Sequence, residues 1–253
     1  MTKADDEWVR TIDNFWSTLS RHFELRPDSS CGFHVHISTA TGSYNLEQLR
    51  KMAKAVIFWE PATAMCAPFS RQDNVLDFCK SNVRLPVQVG RDILLSGRIE
   101  GLQNAFDFID SACDTNAIVD FICPDKYRAW NFRPCRTGGH GSIEFRRPPG
   151  VTTAKKAKHW IAFTISFVEL AITFDPSSLP MMVRQSSRLD TLYRPAFEER
   201  LLECARRVNV YAQLDPRLRQ QDEPRTLHIT NMQAQRLRSL QAIDEEYQLS
   251  PNA

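Results

Sequence analysis

The chain has 253 residues, of which 42% are hydrophobic and 25% charged, enough for one sizeable domain with a substantial buried core. A net charge of +2 and the lack of any Lys/Arg stripe leave no electrostatic footprint for a nucleic-acid partner. No apolar run is long enough to span a bilayer, and the acidic, polar start from Met1 to Arg10 does not read as a signal peptide.

Trp8, Ile12, Phe15, Trp16, Leu19 and Phe23 recur at helical spacing, so residues 5–23 are predicted to form an amphipathic helix. Arg26-Pro27-Asp28-Ser29-Ser30 is a turn signal. The run Cys31 to Ser38 then alternates with period 2, placing Phe33, Val35 and Ile37 on one face and His34 and His36 on the other, as in a half-buried strand. A second helix begins near Leu46, with Leu49, Met52, Ala53, Val56 and Ile57 as its apolar stripe, and Pro61 should end or kink it. After a polar connector over 70–98, Leu102, Phe106, Ile109 and Cys113 mark a third helix.

Tyr127 to Arg133 and Gly141 to Arg147 read as two strands of a hairpin flanking Arg136-Thr137-Gly138-Gly139-His140. Ser142, Glu144 and Arg146 share one face of the second strand, and Ile143 and Phe145 share the other. Residues 153–174 form a strongly apolar helix, with Lys155, Lys156 and Lys158 on a solvated face, and Pro195 opens another helix carrying Phe197, Leu201 and Leu202. A charged segment from about Ile229 is a further predicted helix. The expected division is a main domain over 1–210 and a charged helical segment over 211–253. The seven cysteines are odd in number and contain no CxxC pair, which points to reduced thiols in a cytoplasmic protein, several of them filling core space.

Strands interspersed with helices and joined by a hairpin imply an α+β fold, an antiparallel sheet covered by helices on one face. The uncovered face would then carry His34, His36, Glu144 and Arg146. The hairpin partner adds either Arg128 and Trp130 or Tyr127, Asn131 and Arg133, depending on register. Imidazole and carboxylate suit a divalent cation, and guanidinium matches phosphate or carboxylate. Each element also has an ordinary explanation: half-exposed histidines, a cross-strand ion pair, and a Gly-rich hairpin loop at 137–141 rather than a phosphate cradle.

The CGFHVHIS strand resembles the Cys-Gly-x-His-Val-His strand of the amidoligase family and the Gly-Met-His-x-His-x-Ser strand of glutamine synthetases. GSIEFRRPPG resembles the same family's closing Thr/Ser-Ile-Glu-Phe-Arg-x-x-x-Gly strand. Phe58-Trp59-Glu60, Ser70-Arg71, Cys79 to Asn82 and Tyr127-Arg128-x-Trp130-Asn131 are similar to fungal members, so the resemblance covers about 30–170.

What the resemblance implies is a glutamine-synthetase-like fold and an ATP-dependent ligase. Such an enzyme joins a small carboxylic acid to an amine through an acyl phosphate, here in fungal specialised metabolism. It further implies Mg²⁺ or Mn²⁺ on His34 and Glu144, nucleotide near His36, Ser38 and Arg71, and catalytic roles for Arg146 and Arg128. The family's Gly-x-Glu-x-Glu first strand has no match here. The sequence therefore also admits a truncated or degenerate relative that binds nucleotide or a partner without turnover. A third reading is a metal-dependent hydrolase or cupin-like oxygenase built on His34, His36 and either Glu144 or His140.

Overall fold

A computed structural model of the chain describes residues 7–26, 31–68, 71–72, 79–83, 98–175 and 193–215. Its helices are α1 (Glu7–His22), α2 (Leu46–Met65), α3 (Arg98–Ser111), α4 (Thr115–Ile122), α5 (Ala154–Ile172) and α6 (Tyr193–Arg207). Three short strands, β1 (Val35–Ile37), β2 (Trp130–Asn131) and β3 (Ile143–Phe145), form an antiparallel sheet in the order β1-β3-β2. The fold is α+β. Most of the polar connector and the predicted helix beyond residue 229 lie outside the described residues.

The sheet is small because its interior positions are few, and its apolar face is covered by aromatic stacking. Trp130 lies between Phe145 (4.2 Å) and Phe167 (4.6 Å), both nearly parallel to it, and Phe145 also meets Phe163 at 5.6 Å. All four side chains are buried, and α5 supplies Phe163 and Phe167, so the apolar helix predicted at 153–174 is the one that roofs the sheet. Burying such rings contributes about 1.5–3 kcal/mol each in area terms. Thr153 caps α5 by accepting the Lys156 N–H, and α2 starts with a capping box between Asn45 and Gln48.

α2 does not end at Pro61. It runs on to Met65, because Ala62, Thr63 and Cys66 on the far side of the proline are all buried and hold the last turn in place. Loss of one helix hydrogen bond costs less than exposing that turn. The first helix departs from expectation too. Trp8 is buried and Ile12 partly so, whereas Phe15 and Phe23 are exposed, so only the first half of the predicted stripe docks.

The hairpin is present, with a longer connection than the sequence suggests. β2 and β3 are joined through a short 3-10 turn at Arg133–Cys135 and the Gly-rich loop. That loop's backbone donors are turned to the protein: Gly139 N–H donates to Arg136 O, Gly141 N–H to Pro134 O, and Thr137 N–H to the Asn116 side chain on α4. A structural turn, not a phosphate cradle, is what these bonds build.

Candidate functional site

Register decides which side chains meet. His36 stands opposite Glu144, and Asn131 stands opposite Glu144 from the other side, so all three share the polar face of the sheet. Val35, Trp130 and Phe145 share the apolar face. Of the two registers open to the hairpin partner, the one that puts Asn131 beside Glu144 is realised.

Beyond β1 and β3 the pairing slips by one residue. Val35 pairs with Phe145, yet Gly32 bridges Pro149, so 146–148 oppose only 33–34. Phe33 N–H donates to Pro148 O across this gap. Such a bulge bends a strand and re-aims its side chains, and the prolines at 148 and 149 can donate nothing to the ladder. At the bulge the adjacent arginines part: Arg146 turns to the polar face, Arg147 into the core.

Glu144 is the centre of the cluster, with its side chain 6% exposed. Its Oε1 lies 2.8 Å from His34 Nδ1, 2.7 Å from Arg146 Nη1 and 3.5 Å from His36 Nε2. Its Oε2 accepts from Asn131 Nδ2 at 2.8 Å. Burial alone would raise this carboxyl's pKa, but hydrogen bonds from His34 and Asn131 and the charge of Arg146 outweigh it and bring the value down to about 2. Glu144 is thus ionised. The His34 contact then requires a proton on Nδ1, and the 3.5 Å approach of Arg146 to that same nitrogen is proximity between two donors. His36 is half exposed and loosely held, with Nδ1 3.4 Å from Ser142 Oγ.

Arg71 joins the cluster from the connector. It donates to Cys31 O and feels the charge of Arg146. Gly32 is what lets it approach. A Cβ at residue 32 would stand 3.0 Å from His34 Nε2 and 3.1 Å from Arg71 Nη1.

The structure therefore brings together His34, His36, Arg71, Glu144 and Arg146. Two other predicted residues fall outside. Arg128 follows the Trp130 side of its strand, where it donates to Ser81 O at 2.9 Å and pairs with Asp125 at 3.2 Å. Ser38 lies past the end of β1, exposed. Cys31 is exposed, while Cys66, Cys79, Cys123 and Cys204 fill the core, and all seven cysteines are free thiols.

Asn131 is more than an alternative register residue: it holds Glu144 in place. Arg147 is a residue that the alternation could have revealed. It shares the phase of Phe145, so a charge there demands a buried acid, and Glu60, in the middle of an apolar helix, supplies it at 2.5 Å. The Arg147 side chain is 0% exposed.

A divalent cation does not fit this arrangement. Mg²⁺ and Mn²⁺ want several oxygen ligands, whereas the cluster holds one carboxylate whose two oxygens are both engaged by donors. Among the described residues no group of three or more His, Cys, Asp or Glu could hold a metal ion. The hydrolase or oxygenase reading needs such a group: His34, His36 and Glu144 meet as a hydrogen-bonded cluster instead, and His140 is exposed on its loop. Among the described residues no helix is long and apolar enough to cross a membrane.

No curated protein and no solved structure matches the chain. A family model does, over residues 2–168, a span that contains α1 to α4, the whole sheet, the Glu144 cluster and most of α5. The chain belongs to the ligase-type family described as Putative amidoligase enzyme.

Proposed function

We propose that this chain joins a small carboxylic acid to an amine at the expense of ATP, and that the Glu144 cluster receives the anionic group of the acid or of its phosphorylated form. In that reaction the γ-phosphoryl moves to the carboxylate and ADP leaves. The amine nitrogen then attacks the acyl carbon, giving up a proton as inorganic phosphate departs. The observation that carries the reading is the convergence of Arg146 and His34 on Glu144, with Arg71 buried nearby, within a family of ligases. A guanidinium fork and an imidazole suit an intermediate whose charge is spread over phosphoryl oxygens.

The test is release of inorganic phosphate from Mg²⁺–ATP in mixtures of carboxylic acids and amines. The expected result is release that depends on both partners and falls at least about ten-fold in Arg146→Lys, since a point charge does not reproduce the planar fork. Release that needs neither acid nor amine would refute the ligase reading. A second reading is a relative that binds nucleotide or a partner without turnover. It is favoured by the single carboxylate in the cluster, and binding of ATP with no acid- and amine-dependent phosphate release would support it.

A further inference from the structure

Asn131 has one possible orientation. Its Oδ1 accepts the Arg133 backbone N–H at 3.0 Å, with Cys123 Sγ 3.4 Å from the same oxygen. A backbone N–H can only donate, so the amide nitrogen must face the other way, onto Glu144 Oε2. That nitrogen is itself donor-only and needs an acceptor beside it. Asn131 is therefore built to hold an ionised carboxylate and to occupy one of its oxygens.

The other oxygen is occupied from the opposite side. Oε1 takes His34 Nδ1 at 2.8 Å and Arg146 Nη1 at 2.7 Å, short contacts of the charge-assisted kind. A cation entering here would have to displace a guanidinium or break a buried amide contact. The exposure runs the other way: Glu144 lies beneath, with its side chain 6% exposed, and His34 (33%) lies above it toward solvent. His34 is the donor that meets solvent, while the Arg146 side chain is 15% exposed and Arg71 is buried. His34 Nδ1 approaches Arg146 Nη1 at 3.5 Å, and its Nε2 and Arg71 Nη1 both face the space over Gly32.

We propose that Glu144 is a fixed counter-ion rather than a metal ligand, and that the donors it orders, His34 and Arg146, form an oxyanion subsite that takes a phosphate or carboxylate group with no divalent cation on Glu144. The proposal deepens the ligase reading by assigning the ligand class of the same site, but its test involves no turnover. Metal-dependent anion binding would overturn it and leave the ligase reading standing, and absent ligase activity would leave it untouched.

Titration calorimetry of the full chain with inorganic phosphate, and separately with acetate, in EDTA and then in excess Mg²⁺ decides the matter. The expected result is anion binding in EDTA that Mg²⁺ changes by less than about two-fold, because no cation site is completed at Glu144. Arg146→Lys should weaken that binding about ten-fold, with His34→Gln as the second variant should the first melt early. Phosphate binding well above acetate assigns the subsite to a phosphoryl group, and comparable binding of both assigns it to a carboxylate as well. Mg²⁺ alone should give no binding heat that Glu144→Gln removes. The proposal fails if phosphate and acetate bind only with Mg²⁺, if neither binds, or if Mg²⁺ binds alone and Glu144→Gln abolishes it.

Discussion

Gly32 and the Glu60–Arg147 pair show how single residues set this site. A methyl group on Gly32 would press on the ends of two side chains, His34 and Arg71, rather than on backbone. Gly32→Ala should therefore fold with a melting temperature near that of the parent, yet bind phosphate about ten-fold more weakly, a loss of roughly 1.4 kcal/mol readable by calorimetry. Glu60→Leu should behave in the opposite sense. It strands Arg147 in the core and should cost about 3–5 kcal/mol in urea unfolding, while the double variant Glu60→Leu/Arg147→Met should recover most of that loss. At this scale much was legible in the sequence. Period 2 alone placed His34 and His36 with Glu144 and Arg146, because a strand has only two faces. Whether Arg128 or Asn131 joins them is open in the sequence, because one residue of register exchanges faces, and the observed pairing of Asn131 with Glu144 puts Arg128 on the other face. Arg147 went unread because an arginine beside another arginine looks like surface, although its phase matches Phe145.

Among the elements, long periodic segments were readable and short or bent ones were not. The stripes of α2 and α5 are buried where the 3.6-residue spacing puts them. α4 was missed, since eight residues hold barely two turns and the preceding pattern had already run out at Cys113. Its start does carry a signal, the Asp114 side chain accepting the Ala117 N–H at 2.9 Å. Asp114→Ala should lower unfolding free energy by about 1 kcal/mol, seen as a shift in urea midpoint with an unchanged slope. The bulge at 146–148 has no sequence counterpart beyond the prolines at 148 and 149, because it arises from pairing with a strand more than a hundred residues away. α1 was overread: its stripe spans the whole helix, but α5 offers a surface only to the first half, where Lys158 also pairs with Asp13 at 2.7 Å. A stripe records what a helix could bury, and its neighbours determine how much of it is buried.

Across the molecule as a whole, α5 links the sheet to the last described turn, and His159 makes the link titratable. Its Nδ1 accepts the Asp215 backbone N–H at 3.0 Å while the ring sits against Trp160 and Phe163. Desolvation by burial takes its pKa from 6.5 down to about 4, with the Asp215 charge pulling the other way. Between those values the unfolded chain binds the proton and the folded chain does not, so stability rises with pH through this window and is level above it. The gap corresponds to roughly 3 kcal/mol, lost as pH falls from 6.5 to about 4. Glu144 works in the same direction, but between 4.5 and about 2, so among the described residues the range from 4.5 to 6.5 belongs to His159. His159→Asn keeps an acceptor near the Asp215 N–H and removes the titrating ring. Its unfolding free energy should be lower at neutral pH, from lost packing, but should fall less steeply on acidification. Urea unfolding across this pH range should show the difference between parent and variant narrowing by about 2 kcal/mol or more toward the acid end. If the two curves run parallel instead, His159 is not the group that makes this fold acid-sensitive.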